Sequence, residues 1–267
     1  MKIKKIVAVT IPIYKTVIEG SELISLSQCI KILGNYPIVF FAPKSLDTSY
    51  YESFCLNKIV FTVERFENVY FENIEGYNRL MLSVDFYKRF KQFKYILLYQ
   101  LDAFVFRDDL TYWCNQNYAY LAAPIVDIDT PEHKDDGMKI LENYRKLLDF
   151  INRLGFKRVG YKPIVNGGLS LRKVASFIVL LTLLQRKAEL WKIYKYNEDG
   201  FFSYWFNVFF FFWRMPTISE ALMFSWELQP RECFALNNKK LPLGCHAFEK
   251  YDFCFWQPFI EKEGYTL

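Results

Sequence analysis

The amino-acid sequence predicts an α/β fold, with a mostly parallel central sheet flanked by helices. Short runs of β-branched residues alternate with segments of helical periodicity along the first half of the chain. Strands separated by helices are joined by right-handed crossovers, which produce a parallel sheet covered on both faces. The chain also has enough apolar material for a large core, since 52% of its 267 residues are hydrophobic.

The predicted elements follow one another without an internal repeat. Residues 21–33 carry apolar side chains at helical spacing, with Ser21 as the N-cap and Gly34 as the stop signal. A second helical pattern covers 76–90. The predicted strands are 5–11, 37–42, 58–63, 94–99 and 118–126.

The whole chain, 1–267, is predicted to form one domain, because no segment is long or polar enough to be a linker. Residues 127–163 interrupt the alternation with an acidic loop and an amphipathic helix at 138–154. An insertion of this kind at the carboxyl edge of a sheet often serves as a lid. We predict that role for residues 127–163. The acidic residues do not have the spacing of a calcium-binding EF-hand loop, and a loop of this kind is usually just solvated.

Charge and cysteine content narrow the classes of function. The formal net charge is +5, with Lys and Arg scattered along the chain, so nucleic acid is not a predicted partner. Weak attraction to anionic lipid or to a phosphorylated ligand stays open. The six cysteines lie far apart, without the spacing of a zinc site, and the first residues lack the pattern of a signal peptide. We therefore predict free thiols and a cytoplasmic location.

Two apolar stretches raise the question of membrane contact. Residues 175–184 and 201–213 are both shorter than the roughly twenty residues that a spanning helix needs. The second stretch contains ten aromatic side chains, which is compatible with peripheral docking at the inner face of the cell membrane. Packing in the core is the favoured interpretation.

The first candidate site residue is Asp102, which follows a buried strand. An apolar run at 95–101 ends at this single carboxylate before the chain becomes apolar again. Open α/β sheets present ligand-binding groups at the carboxyl ends of their strands, and an unpaired buried carboxylate costs several kcal/mol. We predict that Asp102 faces a cation, a donor cluster or a wet cleft; capping of a turn or helix is the alternative.

The second candidate is the segment Asn166-Gly167-Gly168, which precedes an alternating strand ending at Arg172. Paired glycines permit close approaches that side chains would block. Asn166 offers both donor and acceptor groups, and Arg172 could pair with a phosphate or a carboxylate. A tight hairpin with no ligand is the alternative.

Two further segments carry polar residues in apolar surroundings. Glu198 and Asp199 stand directly ahead of an aromatic helix, after the candidate N-cap Asn197. Acids in a first helical turn are favoured by the helix dipole, but one of the two could face a cleft as a general base. His246 follows Pro-Leu-Gly-Cys near the end of the chain, where it could ligate a metal, contact phosphate oxygens, or be purely structural.

Together these segments resemble the nucleotide-sugar glycosyltransferases of the GT-A fold and, more narrowly, the bacterial DUF5672 family. The resemblance covers roughly residues 5–255 and depends on the order and spacing of short motifs. The motifs lie at 100–102, 166–172, 198–202, 221–225 and 242–248.

The resemblance implies a role for each motif. Asp102 matches the first acid of the GT-A Asp-x-Asp, beside the donor's ribose and the metal-bound diphosphate. Asn166, Gly167 and Gly168 match the strand that lines the sugar pocket. Asp199, or else Glu198, matches the acid that deprotonates the acceptor hydroxyl in inverting members. His246 matches a histidine that completes the metal site in some metal-dependent members.

The chain departs from this pattern where the second acid should stand, since Phe104 occupies that position. A divalent ion prefers several oxygen ligands, so the loss weakens a site for Mn²⁺ or Mg²⁺. Either Asp102 and His246 hold the metal with water and phosphate oxygens, or cationic side chains replace it. The candidate cations are Arg79, Arg172 and Lys250.

The sequence therefore predicts a glycosyltransferase that moves a sugar from a nucleotide-diphosphate sugar to a glycan or lipid-linked acceptor, in bacterial surface polysaccharide synthesis. The nucleotide is expected near the first βα turn, from Thr10 to Tyr14. Two other classes stay open. One is a catalytically inactive module that binds a sugar nucleotide or glycan; the other is a membrane-surface scaffold of a polysaccharide assembly complex.

Overall fold

The computed structural model describes residues 5–126 and 163–266. A six-stranded sheet forms the centre of this part, and a three-stranded sheet lies beside it. The strands are β1 (Lys5–Pro12), β2 (Ile38–Pro43), β3 (Phe61–Phe66), β4 (Phe93–Tyr99), β5 (Phe104–Val105), β6 (Tyr120–Leu121), β7 (Leu169–Lys173), β8 (Ser225–Trp226) and β9 (Gly244–Cys245).

The central sheet has the strand order β3-β2-β1-β4-β7-β6 and is mostly parallel. The strands from β3 to β4 pair in parallel, whereas β7 is antiparallel to both β4 and β6, so only β7 is reversed. Every residue of β2 is buried, as expected for a strand covered on both faces. The predicted fold class is confirmed.

Helices flank the central sheet. Within the described residues they are α1 (Gly20–Leu33), α2 (Ser49–Cys55), α3 (Ile74–Met81), α4 (Val84–Arg89), α5 (Leu110–Asn115), α6 (Val174–Leu183), α7 (Gln185–Ile193), α8 (Glu198–Val208), α9 (Ile218–Phe224), α10 (Pro230–Leu236) and α11 (Phe253–Lys262).

The small sheet brings the end of the chain to the end of β4. Strand β5 follows β4 after a four-residue turn and pairs antiparallel with β9, with Phe104 opposite Cys245. Strand β8 pairs in parallel with β9 on its other side. His246, the residue after β9, is thereby delivered to the carboxyl end of β4.

Several predicted elements differ from the structure in their bounds. The helical pattern at 76–90 is two helices, because the Ser83 hydroxyl accepts from the backbone N–H of Asp85 and starts a second helix. Ser21 lies inside α1, where its hydroxyl donates to Glu249, and does not cap the helix. The third strand begins three residues later than predicted, and of 118–126 only Tyr120–Leu121 forms a named strand.

The aromatic stretch 201–213 divides between the core and the surface. Phe201, Phe202 and Phe206 are fully buried, which supports the favoured interpretation of core packing. Helix α8 ends at Val208, and beyond it Phe211 and Phe212 are exposed. Among the helices described, none is long and apolar enough to cross a bilayer.

All six cysteines lie within the described residues and are free thiols, as predicted, and only Cys254 is exposed. Burial raises the pKa of Cys29 and Cys245, so neither is a ready nucleophile. The predicted lid lies outside the described residues, apart from its last position, 163.

Candidate active site

The carboxyl end of β4 and the segment before β7 meet at one place. The backbone N–H of Gln100 donates to the carbonyl of Gly168 at 2.8 Å, which continues the β4–β7 pairing beyond Tyr99 and Leu169. Gln100 and Asp102 follow directly in the turn after β4. Two motifs more than sixty residues apart in the sequence are thus joined by the sheet.

The imidazole of His246 is surrounded by three polar side chains. Its Nε2 lies 3.0 Å from Asp102 Oδ1 and 3.1 Å from Gln100 Oε1. On the other side of the ring, Nδ1 lies 3.0 Å from Glu227 Oε1. The backbone N–H of His246 donates to the Trp226 carbonyl at 2.9 Å. The pairing of β8 with β9 therefore fixes the position of the His246 backbone, from which the imidazole extends.

The electrostatics of this cluster follow from its two carboxylates. Burial opposes charge on the imidazole, but the nearby Glu227 and Asp102 outweigh it and raise the pKa of His246 to about 10. Burial by itself would raise the pKa of Asp102, yet His246 and, more weakly, Lys250 bring it below its ordinary value. Asp102 is therefore a carboxylate at neutral pH.

The two glycines leave room for two functional side chains. A Cβ on Gly168 would come within 2.5 Å of three atoms of the His246 ring, and a Cβ on Gly167 would meet Glu198 Oε1 at 2.6 Å. The paired glycines are thus explained by close approach, as the sequence predicts. The space that their missing side chains leave is occupied by the side chains of His246 and Glu198.

Asn166 turns its side chain towards the same segment. Its Oδ1 accepts from the backbone N–H of Gly168 at 2.7 Å and from that of Leu169 at 3.3 Å. The residue is 1% exposed, and its Nδ2 is buried without a hydrogen-bond partner in the described structure. A buried donor left without a partner costs about 1–3 kcal/mol, so this amide is suited to a polar ligand.

Glu198 and Asp199 have different surroundings at the start of α8. Glu198 is buried and accepts from Arg172 Nη2 at 2.9 Å, in an ion pair whose side chains are 5% and 0% exposed. Asp199 is only partly buried, and its Oδ1 accepts from the N–H of Gly200. Burial first, and then the charges of Glu198 and Glu227, raise the pKa of Asp199 to about 8. A carboxyl group with such a pKa is suited to general-base work.

The expectation that Thr10 and Arg172 contact a ligand directly is wrong, because both side chains are buried. Thr10 is fully buried in β1, where its hydroxyl donates to the Leu97 carbonyl. The Arg172 guanidinium is also fully buried, and it donates to Tyr87 and Gly167 as well as to Glu198. Arg79 is exposed on α3, and it does not line the cavity described next.

A cavity of about 480 Å³ opens at the carboxyl ends of β1 and β4 and reaches Asp102. This volume falls within the range of small-molecule sites. Its lining mixes aromatic, aliphatic and polar side chains, and Lys15 and Glu22 form an ion pair at 2.9 Å within it. The lining includes Tyr14, Lys15, Tyr51, Tyr70, Tyr77, Gln100 and Asp102.

Two residues of the cluster are missing from the sequence-based set. Gln100 belongs to the resembling string 100–102, but no role was predicted for it. Glu227 has no local signal, because its contact with His246 depends on the pairing of β8 with β9. The expected position of a second acid, Phe104, is instead fully buried and packs against Phe248 and Tyr265.

The donor atoms fit a divalent ion only in part. The described residues contain no group of three or more His, Cys, Asp or Glu side chains arranged around a metal. Asp102 Oδ1 and His246 Nε2 are nevertheless adjacent, and the oxygen of Gln100 is a third donor within reach of Nε2. These residues would hold the ion. Because Gly168 has no Cβ, the His246 ring has room at this position.

The fold is that of the GT-A-type glycosyltransferases. Mouse xyloside xylosyltransferase 1 (apo form) aligns with a TM-score of 0.53 at 10% identity, over 89% of this chain and 96% of that one. Core-mannan synthase A of Aspergillus fumigatus (Mn/GDP form) gives 0.50 at 13% identity, over 75% and 69%. GlyE, a glycosyltransferase of Streptococcus pneumoniae TIGR4 (apo form), gives 0.50 at 13%, over 91% of this chain and 54% of that one.

The profile of one family, described as "Protein of unknown function (DUF5672)", matches residues 60–246. The chain belongs to this family. A search of curated protein sequences gives no significant match.

Proposed function

We propose that this protein is a glycosyltransferase that moves a sugar from a nucleotide-diphosphate sugar to an acceptor hydroxyl. One observation carries the proposal: Asp102, Asn166 and His246, from three distant segments, are linked at the end of β4 through direct contacts and through Gly168. Asp102 contacts His246 directly, and the His246 ring lies over Gly168, whose N–H binds Asn166. Glu227 acts electrostatically on both His246 and Asp199.

The donor would occupy the cavity at the ends of β1 and β4. Its aromatic walls, including Tyr51 and Tyr70, suit the flat face of a nucleobase. Asp102 also lines this cavity, and the ribose and diphosphate would sit beside it. The buried Nδ2 of Asn166, which has no partner in the described structure, would donate to a hydroxyl of the sugar.

Catalysis of this reaction mainly requires that the negative charge on the departing nucleotide diphosphate be stabilised. Mn²⁺ or Mg²⁺, when bound to Asp102 and His246, supplies positive charge to the phosphate oxygens. The Mn/GDP form of the Aspergillus fumigatus neighbour makes a divalent ion a reasonable expectation here. Lys250 is exposed, and its charge acts on Asp102, so it would add a second cation beside the leaving group.

Asp199 is the proposed general base. It takes the proton of the acceptor hydroxyl while the acceptor oxygen bonds to the anomeric carbon. The bond from that carbon to the diphosphate oxygen breaks, and the nucleotide diphosphate leaves with the electron pair. Glu198 is already bound to Arg172, so its role is to hold the start of α8 in place.

The proposal extends to the setting that the sequence predicts. We take residues 1–267 as one catalytic domain, because the motifs of both halves of the chain converge on a single site. The acceptor would be a glycan or a lipid-linked sugar in bacterial surface polysaccharide synthesis. The reaction would take place in the cytoplasm or at the inner face of the cell membrane.

Two measurements test this function. Thermal shifts against a panel of nucleotide-diphosphate sugars, with and without Mn²⁺, identify the donor, because a ligand that binds only the folded state raises the midpoint of unfolding. Transfer or hydrolysis of that donor is then followed in Asp199→Asn. Turnover should fall about 10²–10⁴-fold with donor binding unchanged, while Asp85→Asn, an exposed surface change, should have no effect. Full turnover in Asp199→Asn and in Glu198→Ala would refute the general-base assignment.

A binding module without catalysis is the second candidate, because Phe104 replaces an expected acid and is packed in the core. This candidate predicts a thermal shift with the donor but no turnover in any variant. Detectable hydrolysis of the donor by the purified protein excludes it.

A further inference from the structure

We propose that Lys15 binds the diphosphate of the sugar donor, and that it leaves its ion pair with Glu22 to do so. This inference rests on the proposed function and deepens it, because it names the side chain that recognises the anionic part of the donor. Neither residue is among the candidate cations and acids that the sequence predicts.

The positive charge of the cavity wall comes from one lysine. Among the described residues that line the cavity, Lys15 is the single cation, whereas Glu22, Glu72 and Asp102 carry carboxyl groups. The two phosphates of a nucleotide-diphosphate sugar are anionic, and nearby carboxylates repel them. A donor held in this cavity therefore needs a counter-charge, and within the described lining Lys15 is the side chain that supplies it.

In the free protein, Lys15 is paired with Glu22 in the first turn of α1. Its Nζ lies 2.9 Å from both carboxylate oxygens of Glu22. The hydrogen bond with Glu22 raises the pKa of Lys15, so the lysine is charged at neutral pH. The two side chains are 52% and 24% exposed, and an ion pair this exposed contributes little to stability. Lys15 can therefore exchange its partner at little cost.

The backbone around Lys15 is held in place, whereas its side chain is free to turn. The hydroxyl of the buried Tyr51 donates to the Lys15 carbonyl at 2.9 Å. The backbone N–H of Ile13 donates to the Phe41 carbonyl at 3.0 Å, which continues the pairing of β1 with β2. Lys15 is thus fixed at the carboxyl end of β1, and rotation of its flexible four-carbon side chain is sufficient for a change of partner.

The hydroxyl of Tyr14, another lining residue, relates Lys15 to Asp102. Partial burial raises the pKa of Tyr14, and the Glu22 carboxylate adds to this rise. Lys15 and Asp102 act on the same hydroxyl in opposite directions, so both charges lie near it. Lys15 is therefore placed to meet the diphosphate, which the proposed function puts beside Asp102.

A diphosphate competes well with Glu22 for the lysine. It carries more negative charge than a single carboxylate, and its oxygens accept several charge-assisted hydrogen bonds from an ammonium group. Glu22 thus pairs with Lys15 in the free protein and releases it when the donor binds. The two residues should therefore have opposite effects: loss of the Lys15 charge weakens donor binding, and loss of the Glu22 charge strengthens it.

Titration calorimetry of the full-length protein with UDP, GDP, ADP and dTDP, and with the four corresponding nucleosides, tests both roles. Lys15→Gln should weaken binding of the nucleoside diphosphate about tenfold and leave binding of the nucleoside unchanged. Glu22→Gln should tighten binding of the diphosphate about 2–5-fold. The double variant should bind the diphosphate as weakly as Lys15→Gln does, because Glu22 acts through Lys15.

Lys31 and Glu263 provide the matched control. Their ion pair, at 3.0 Å, is about as exposed as that of Lys15 and Glu22, and neither residue lines the cavity. Lys31→Gln and Glu263→Gln remove the same charges from the protein surface, so they report the effect of net charge alone. Both variants should bind the nucleoside diphosphates as the unchanged protein does.

Several outcomes overturn the proposal. Unchanged diphosphate affinity in Lys15→Gln removes the lysine contact, and so does an equal loss of nucleoside affinity, because the diphosphate is then not what Lys15 recognises. Unchanged affinity in Glu22→Gln, or a tightening that persists without Lys15, removes the exchange of partners. If the unchanged protein still transfers sugar, these results leave the proposed function standing. Absence of binding of every nucleoside diphosphate to the unchanged protein, with and without Mn²⁺, overturns both.

Discussion

Substitution of Gly168 by alanine tests whether the space at this position seats the imidazole of His246. The new Cβ would lie within 2.5 Å of three atoms of the His246 ring, so the ring must withdraw by roughly 1 Å or more to restore van der Waals contact. That movement breaks the 3.0 Å contact with Asp102. Overpacking of this kind costs about 1–3 kcal/mol of unfolding free energy, against a total of about 5–15 kcal/mol, so the protein should remain folded.

Gly168→Ala should lose activity although the protein remains folded. Misplacement of a reacting group by about 1 Å can cost about 10²-fold in rate, and we expect donor turnover in Gly168→Ala to fall by at least that factor. Unfolding in urea followed by tryptophan fluorescence gives the free energy, and Mn²⁺ titration gives the affinity. Gly200→Ala is the matched control, because a Cβ there lies 3.4 Å from Trp191, an ordinary contact. Wild-type Mn²⁺ affinity and turnover in Gly168→Ala would refute the assignment of this glycine to the histidine seat.

Three further predictions concern the start of α8. Glu198→Ala leaves the buried Arg172 without its counter-ion and should lower the free energy of unfolding by about 3–5 kcal/mol; a loss below about 1 kcal/mol in urea unfolding would show that the pair is not desolvated. The fold holds Asp199 protonated up to a pKa of about 8, whereas the unfolded chain ionises it near 4. The contribution of Asp199 to the free energy of unfolding is therefore lost as pH rises from about 4 to 8. Across this range, the Tm of Asp199→Asn should rise relative to the Tm of the unchanged protein. A difference between the two Tm values that stays constant from pH 5 to pH 8 would contradict the raised pKa. The same pKa predicts that kcat/KM rises with pH through about 8 and that this rise is absent in the variant.

Much of the architecture follows from local patterns in the sequence. The β-branched runs and helical periodicities predict the parallel strands β1, β2 and β4 and the helix α1 with small errors of boundary. The pattern fails at 76–90, because a hydrophobic periodicity continues through the Ser83 cap without revealing that the helix restarts there. It also fails at 118–126, where an apolar run is buried but only two residues form a named strand. A segment that is only buried and a segment that pairs as a strand have similar hydrophobic patterns, so periodicity does not distinguish the two.

The site was predictable only in its outline. Asp102, the paired glycines and His246 stand out as polar or small residues in apolar surroundings, and the structure brings them together. Arg172 also stands out, but its guanidinium pairs with Glu198 in the interior, a partner that a single chain segment cannot reveal. Gln100 and Glu227 are ordinary polar residues in sequence, and only their contacts with His246 reveal that they belong to the site.

By itself, the sequence determined the α/β fold class and the strand that carries Asp102, since each depends on residues close together along the chain. It also determined the resemblance to the DUF5672 family, which depends on the order and spacing of short motifs along the chain. Only the tertiary structure decided which side chains share the site. The register of β4 against β7 and of β8 against β9 brings residues 100, 168, 227 and 246 to one point. Register depends on the packing of the whole sheet, and a shift of one residue would turn each side chain to the opposite face.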